Sequence, residues 1–277
     1  NLIVKNIKLN RINIKISNLC LGTENFFSNK LKTKKDIFKI LDASISHGFN
    51  FFDTAESYSD GRVEKILGEF FKRKKITNTV IATKIGPKID FSPKKLQLSI
   101  DNCLKRLKKD VLDICYFHSG SNSQFLNDDF WNIMNKNHGQ KIKVLGLSLQ
   151  SKYLHEKDLT QVKNCKKYNI SAVNLLYNPL FPLAEDRFFS IIKKDKLDLV
   201  TRVPFAKGVL FKDFKKIKDK QFDEKIIQEA HYRIKDFDKY KNISLNILDW
   251  VQKKSNCKSI VLGCSSINQL KENSLLK

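Results

Sequence analysis

The sequence predicts a (β/α)8 barrel, an α/β fold in which eight parallel strands alternate with helices and close on themselves. Eight short, nearly continuous apolar runs recur along the 277 residues, and amphipathic stretches fill the gaps between them. Such runs are typical of parallel strands buried on both faces. No Pro/Gly/Ser-rich linker divides residues 1–277, so we expect a single domain, and this length suits one barrel. A doubly wound sheet is the alternative, but its GxGxxG fingerprint is absent after the first strand.

The predicted elements follow in chain order. Residues 1–16 are expected to form a hairpin that closes the bottom of the barrel, because Ile3 to Ile16 alternates apolar and polar residues around Asn10 and Arg11. The eight predicted strands are residues 18–22, 48–53, 79–84, 112–118, 142–148, 172–176, 197–202 and 259–263.

Four helices are predicted from periodicity and capping. Residues 34–47 place Ile37, Ile40, Leu41 and Ile45 on one face. Ser92 and Pro93 read as an N-cap and a first helical residue ahead of an apolar stripe. The other two predicted helices are residues 223–240 and 245–254.

Charge and cysteine usage bear on partners and location. The net charge is +23, but 45 of the 52 basic residues are Lys and they are spread along the whole chain. This favours solvent-exposed surface lysines over a nucleic-acid site, since proteins that recognise DNA bases rely on bidentate Arg contacts. We therefore expect no nucleic-acid partner, and no membrane partner because no apolar run is long enough to span. We read no secretory leader, and six Cys without a CxxC pair or metal spacing predict reduced thiols, a cytoplasmic location and no metal.

Ionisable residues end three consecutive predicted strands: Asp53, Lys84 and His118. Barrels keep their active sites at the carboxyl ends of the strands, so these residues are expected to share one rim, with Tyr58 in the loop above. Taken alone, Asp53 could cap a helix, and His118 and Tyr58 could be structural. Lys84 is harder to explain as a purely structural residue, because a lysine that ends an apolar strand needs a partner for its charge. Asp53 is the natural partner.

These four residues suit proton transfer by a phenol. A free tyrosine has a pKa near 10, and we expect the Lys84 ammonium to lower the pKa of Tyr58 by about 1–3 units. Asp53 would keep Lys84 charged, and His118 would hold a substrate oxygen beside Tyr58. The set fits protonation of a carbonyl oxygen as its carbon accepts hydride, which requires a cofactor because no side chain donates hydride.

The motifs around these residues resemble those of the aldo/keto reductase family. Residues 48–58, with Asp-Thr-Ala and a Tyr three residues on, resemble the family signature, and Glu64 to Gly68 continue it. Residues 82–86 resemble its lysine strand and residues 107–118 its histidine strand. The resemblance runs from about Leu19 to Asn273. It implies a barrel reductase that uses NADP(H), as the family does, or NAD(H), as some of its members do, on a small carbonyl or sugar substrate.

The resemblance also implies roles for individual residues. Tyr58 would be the general acid, tuned by Lys84 and Asp53, and His118 would orient the carbonyl. The implied cofactor-binding residues are Gly22, Thr23, Asp53, Ser148 and Asn174 near the nicotinamide, Phe205, Ala206 and Gly208 over the pyrophosphate, Arg202 at a phosphate, and Gly263, Ser265, Gln269 and Asn273 on the adenosine side. An ordinary capping box is the alternative for Ser266 and Gln269.

The chain departs from the family pattern in places. Leu149 stands where an Asn usual to the family would contact the nicotinamide carboxamide, and Asn174 is shorter than the usual Gln. No Arg or Lys lies between Gly263 and Gln269, so a preference for NADP over NAD is only the family default. The alternative function is a regulatory, channel-subunit-like relative that binds cofactor and acts through a partner.

Overall fold

The computed structural model describes residues 4–28, 33–86, 92–149, 156–211, 229–230, 232–233 and 243–274. A closed barrel of eight parallel strands is its centre. These strands are β3 (Leu19–Gly22), β4 (Phe51–Asp53), β5 (Val80–Ile85), β6 (Leu112–His118), β7 (Ile142–Ser148), β8 (Ala172–Leu176), β9 (Asp198–Arg202) and β10 (Ser259–Gly263). Around the barrel they pair in the order β10-β3-β4-β5-β6-β7-β8-β9. All eight predicted strands are confirmed, within three residues at each end.

Helices lie between the strands. They are α1 (Lys34–Ser46), α2 (Arg62–Lys74), α3 (Pro93–Leu107), α4 (Asn122–Phe125), α5 (Asp128–Asn137), α6 (Glu156–Lys163), α7 (Ala184–Lys194), α8 (Ile243–Ser255) and α9 (Ile267–Ser274), with a 3-10 segment at Ala206–Phe211. The predicted helices at 34–47, 92–107 and 245–254 are confirmed. The helix predicted at 223–240 falls mostly outside the described residues. No helix in the described ranges combines the length and apolarity of a membrane span.

The predicted N-terminal hairpin is also confirmed. Strands β1 (Asn6–Lys8) and β2 (Lys15–Ser17) pair antiparallel, with Ile7 opposite Ile16. Leu9 and Ile16 pack on the apolar side chains inside the lower half of the barrel. Because the barrel interior is open at its lower end, this hairpin serves as its floor.

Alternation along the strands sorts side chains between two cores. The lower interior holds Cys20, Phe51, Val80, Ala82, Ile114, Tyr116, Val144, Ala172, Val200 and Val261. Intervening strand residues such as Phe52, Ile81 and Phe117 belong to a larger core between barrel and helices. Since successive strand residues face opposite sides, the last inward position of each strand lies at the upper rim.

The hairpin is fastened to the barrel by a buried carboxylate. Asp198, at the start of β9, is 1% exposed, and its two oxygens accept the Asn10 N–H at 2.9 and 3.0 Å. Burial raises the pKa of Asp198 to about 6, although the Asn10 N–H and Lys258 oppose the shift. The folded chain therefore binds more protons than the unfolded chain between about pH 4 and 6, so stability falls as pH rises through this window.

We expect Asp198→Asn to remove that fall, because the amide oxygen still accepts the Asn10 N–H and carries no charge. A shift of about two pKa units corresponds to about 2–3 kcal/mol at neutral pH. Urea unfolding at several pH values from about 4 to 7 measures how the free energy of unfolding changes with pH. Asp110 is exposed, so Asp110→Asn is the matched control. An equal pH slope in the parent and Asp198→Asn would contradict the prediction.

Candidate active site

One inward position near the carboxyl end of each of the eight barrel strands contributes to the candidate site. Each lies two residues beyond a position whose side chain faces the lower interior or, in β7, beyond Gly146. They are Gly22, Asp53, Lys84, His118, Ser148, Asn174, Arg202 and Gly263. All eight were predicted from sequence as site residues, and the register of the barrel brings them to one rim.

Lys84 is the centre of this site and contacts two of the other three predicted catalytic residues. Its Nζ donates to Asp53 Oδ1 at 2.5 Å, to the Thr54 carbonyl at 2.8 Å and to the Tyr58 hydroxyl at 3.2 Å. Lys84 is 2% exposed and Asp53 is 5% exposed. The ammonium thus has three oxygen partners in a buried place, which is the condition for keeping a charge there.

The protonation states follow from this packing. Burial opposes the charge on Lys84, but the Asp53 carboxylate and the Tyr58 oxygen outweigh it, so the pKa of Lys84 is raised. Burial also raises the pKa of Tyr58, and Lys84 offsets only part of this. The expected lowering of the Tyr58 pKa is therefore wrong in its net direction. At neutral pH Tyr58 is a protonated phenol beside an ammonium, which is the form that a proton donor requires.

His118 lies across the site from the phenol. Its ring meets the Tyr58 ring edge-on, with centroids 6.2 Å apart. Burial, followed by the charges of Lys84 and Arg202, lowers the pKa of His118 to about 3. The imidazole is therefore neutral at physiological pH, and in this form one ring nitrogen can donate a hydrogen bond.

We expect the His118 imidazole to show no titration between about pH 5 and 8, because burial keeps it neutral throughout this range. The NMR titration of the imidazole resonance that is lost in His118→Gln checks this. An inflection near pH 6–7 that disappears in His118→Gln would contradict the prediction.

The residues predicted near the nicotinamide are buried side by side. Ser148 and Asn174 are paired in register across β7 and β8 and are 2% and 0% exposed. Asn174 Nδ2 donates to Asp53 Oδ2 at 3.4 Å, whereas Asn174 Oδ1 has no hydrogen-bond partner among the described residues. Thr23 is buried too, but its hydroxyl donates to the Asp53 carbonyl at 2.8 Å. A Cβ on Gly22 would lie 2.8 Å from Val261 Cγ1, so this rim position is closely packed.

Arg202 reaches across the mouth of the barrel. It ends β9, and its Nη2 donates to the Leu149 carbonyl just beyond β7 at 2.5 Å. Leu149 is itself fully buried, and its N–H donates to the Asn174 carbonyl. Position 149 thus has a buried apolar side chain, and its backbone carbonyl accepts from a guanidinium. A phosphate contact by Arg202 stays a prediction.

The segment after β9 has an unusual backbone. Val203, Ala206, Lys207 and Gly208 all have positive φ, which reaches 89° at Gly208. Positive φ is rare for a β-branched residue such as Val203, and such strained positions cluster at functional sites. Phe205 is half-buried and Ala206 is 5% exposed. Their predicted contact with a pyrophosphate stays a prediction.

The predicted adenosine-side residues form a helix cap. Ser266 Oγ accepts the Gln269 N–H at 3.2 Å, and the Gln269 side chain accepts the Ser265 N–H at 2.8 Å. The first bond is the Ser266 half of the capping box named above as the alternative and begins α9, whereas the second goes to the residue before the cap, so the reciprocal half of an ordinary capping box is not formed. Gly263 and Gln269 are exposed, and Ser265 is half-buried. The side chain of Asn273 lies outside the described residues, and cofactor contact by all four stays a prediction.

Sequence reasoning missed two features of the loop that carries Tyr58. The Thr54 carbonyl is the third partner of Lys84, and Glu56 bonds to Gly86 beyond β5. Backbone carbonyls leave no signal in side-chain patterns. Glu56 stands within the quoted signature, and its distance from Gly86 in the chain concealed the contact.

Comparisons with known proteins identify relatives of this chain. The model of the Aldo/keto reductase family matches residues 18–275. The chain is 24% identical to the uncharacterized oxidoreductase YqkF of Bacillus subtilis, across 96% of this chain and 89% of that protein. It is 36% identical to a probable voltage-gated potassium channel subunit beta of Arabidopsis thaliana, across 40% of this chain and 36% of that one.

Two solved structures share the fold. The holo form of aldo-keto reductase AKR11C1 from Bacillus halodurans superposes with a TM-score of 0.80 at 20% identity, covering 98% of this chain and 90% of that one. The glycerol dehydrogenase AKR11B4 from Gluconobacter oxydans gives 0.78 at 17% identity, with the same coverage. At such identities the likeness concerns the fold alone, and it confirms the predicted barrel.

Proposed function

Because the chain belongs to the aldo/keto reductase family of oxidoreductases, we propose that it reduces an aldehyde, ketone or sugar carbonyl to an alcohol with NADPH or NADH. The observation that carries this proposal is the contact of Lys84 Nζ with both Asp53 Oδ1 at 2.5 Å and the Tyr58 hydroxyl at 3.2 Å. Four side chains from three strands and one loop converge there, as proton transfer to a bound oxygen requires.

The residues at the rim fit a nicotinamide. Asn174 Oδ1 is a buried acceptor without a partner among the described residues, and leaving such an atom unpaired costs about 1–3 kcal/mol. A carboxamide NH₂ would satisfy it, and the Ser148 hydroxyl lies one strand away. We assign these two residues to the nicotinamide carboxamide. When bound, the cofactor supplies the hydride.

The side chains of the site bind the carbonyl oxygen and transfer the proton. The neutral imidazole of His118 donates to the carbonyl oxygen and holds it beside Tyr58. Tyr58 transfers its proton to that oxygen as negative charge develops there. The Lys84 ammonium stabilises the resulting phenolate, and Asp53 holds the ammonium in place. Each step uses a group already oriented by the barrel, so little reorganisation is needed.

Turnover of a carbonyl panel tests the function directly. We expect loss of NADPH or NADH absorbance with at least one aldehyde, ketone or sugar, and direct binding measurements with both nucleotides settle the preference. The cytoplasm is the proposed location, and a small molecule the proposed partner.

One observation favours a second candidate. A probable potassium channel subunit beta is among the relatives, although it matches only 40% of this chain. Tight cofactor binding without turnover of any carbonyl would favour a regulatory role. The four catalytic residues are all present, and this supports the enzyme.

A further inference from the structure

The loop that carries Tyr58 is attached to the strand that carries Lys84. The Thr54 N–H donates to the Ala82 carbonyl at 2.8 Å, and the Glu56 N–H donates to the Lys84 carbonyl at 3.2 Å. The Lys84 side chain returns a bond to the Thr54 carbonyl. The loop therefore runs beside β5, and the position of Tyr58 depends on that attachment.

Glu56 provides the last connection between the loop and β5. Its side chain is half-buried, and its Oε1 accepts the Gly86 N–H at 3.4 Å. A side-chain hydrogen bond also joins Glu56 to Ser99 on α3. Glu56 thus contacts the chain on both sides of Ile85, with its own N–H at the carbonyl of residue 84 and with its side chain at the N–H of residue 86.

Gly86 extends this connection to the third catalytic side chain. A Cβ at position 86 would lie 2.4 Å from the His118 carbonyl oxygen and 2.6 Å from His118 Cβ. Real Cβ atoms do not approach other atoms so closely, so the backbone of Gly86 rests directly against that of His118. A displacement of the Gly86 backbone must therefore displace His118 as well.

Glu64 shows how a purely structural acid differs from Glu56. It is fully buried on α2, where it accepts the Thr83 hydroxyl at 2.5 Å and pairs with Arg106 Nε at 2.6 Å. These bonds join the outer helices to the back of β5. The bonds of Glu56, by contrast, lie in the loop that bears Tyr58 and at the residue packed on His118.

We propose that Glu56 is a positioning residue whose side chain holds Tyr58, Lys84 and His118 in one fixed arrangement through its bond to Gly86, next to the main-chain bond from the Glu56 N–H to the Lys84 carbonyl. This proposal rests on the proposed reductase function of the same site. Glu56 touches none of the reacting atoms, so its removal should change the rate of the chemical step while leaving the cofactor site intact.

Kinetics of three variants test the proposal, with NADPH and 4-nitrobenzaldehyde as probes. We expect Glu56→Ala to lower kcat by about 10- to 100-fold, as small misplacements of reacting groups do. KM and the NADPH Kd should stay within about twofold of the parent values. Glu56→Gln keeps Oε1 as an acceptor and should recover most of kcat. Glu69→Ala, an acid on α2 away from the site, is the matched control and should be unchanged.

Two results would overturn the proposal: an unchanged kcat in Glu56→Ala, or equal losses of kcat and cofactor affinity. If Glu56→Ala does not fold, Ser99→Ala decides, because it removes one of the bonds that hold Glu56. A fall in kcat of about threefold at constant KM then supports the proposal, and an unchanged kcat refutes it.

Amide hydrogen exchange separates this proposal from the proposed function. If the parent protein turns over no carbonyl, the function fails, but the Gly86 and Glu56 amides still report on the connection. We expect both to be protected in the parent and in Glu56→Gln, and to exchange faster in Glu56→Ala. Equal protection in Glu56→Ala would overturn the positioning role whatever the activity.

Discussion

Replacing Lys84 with methionine is expected to slow carbonyl reduction by about 10²–10⁴-fold, the range associated with acid–base groups, and to destabilise the fold by about 3–5 kcal/mol. The rate falls because no ammonium remains to stabilise the Tyr58 phenolate. The stability falls because the Asp53 carboxylate, which is 5% exposed and accepts from Lys84 Nζ at 2.5 Å, loses its cation. Steady-state kinetics and urea unfolding measure the two effects on the same preparations.

A second substitution separates the two effects. Asp53→Asn in the Lys84→Met background removes the uncompensated charge and should restore most of the lost stability, while the rate stays low. A double variant that regains activity along with stability would show that Lys84 acts only as a structural partner of Asp53.

A matched ion pair at the other end of the barrel serves as the control. Lys109 Nζ bonds to Asp113 Oδ2 at 2.5 Å, and Asp113 is 3% exposed. Lys143 also contacts Asp113, so Lys109→Met should cost less stability than Lys84→Met. It should leave kcat within about twofold, because its ion pair lies far from the rim that carries the chemistry.

The barrel and its rim were predictable because they depend on local patterns. Apolar runs mark buried parallel strands wherever they occur, and a residue that ends such a run is placed at the rim by the fold itself. This reasoning located Asp53, Lys84 and His118 correctly on three strands. The helix at Arg62–Lys74 was not singled out as a helix, although its Glu64 to Gly68 segment was quoted as a motif.

The properties that sequence could not supply are set by contacts between distant segments. The sign of the Tyr58 pKa shift depends on how far burial exceeds the effect of Lys84, and burial is known only once the loops are packed. The bond from Arg202 to the Leu149 carbonyl joins the ends of β9 and β7 past the one strand between them, so this contact was hidden until the strand order was known. The Glu56 contact with Gly86 is of the same kind.

Replacing Tyr58 with phenylalanine is expected to lower kcat by about 10²–10⁴-fold while leaving the fold and the cofactor affinity nearly unchanged. The substitution removes one hydroxyl, whose bond from Lys84 is worth about 1 kcal/mol. Lys84 keeps its bonds to Asp53 Oδ1 and the Thr54 carbonyl, so its buried ammonium still has an oppositely charged partner. The loss of rate should thus match that of Lys84→Met, whereas the stability should stay close to the parent value.

The pH dependence of the two reaction directions gives the sharper test of Tyr58. Because burial raises the pKa of Tyr58 above its ordinary value near 10, the phenol is protonated from acidic to mildly alkaline pH. Reduction, which consumes this proton, should run at a constant kcat across that range and decline only above about pH 10. Alcohol oxidation requires the phenolate, so its kcat should rise with pH throughout. Profiles of the same sign in both directions, or a Tyr58→Phe variant that retains the alkaline decline, would assign the proton to another group.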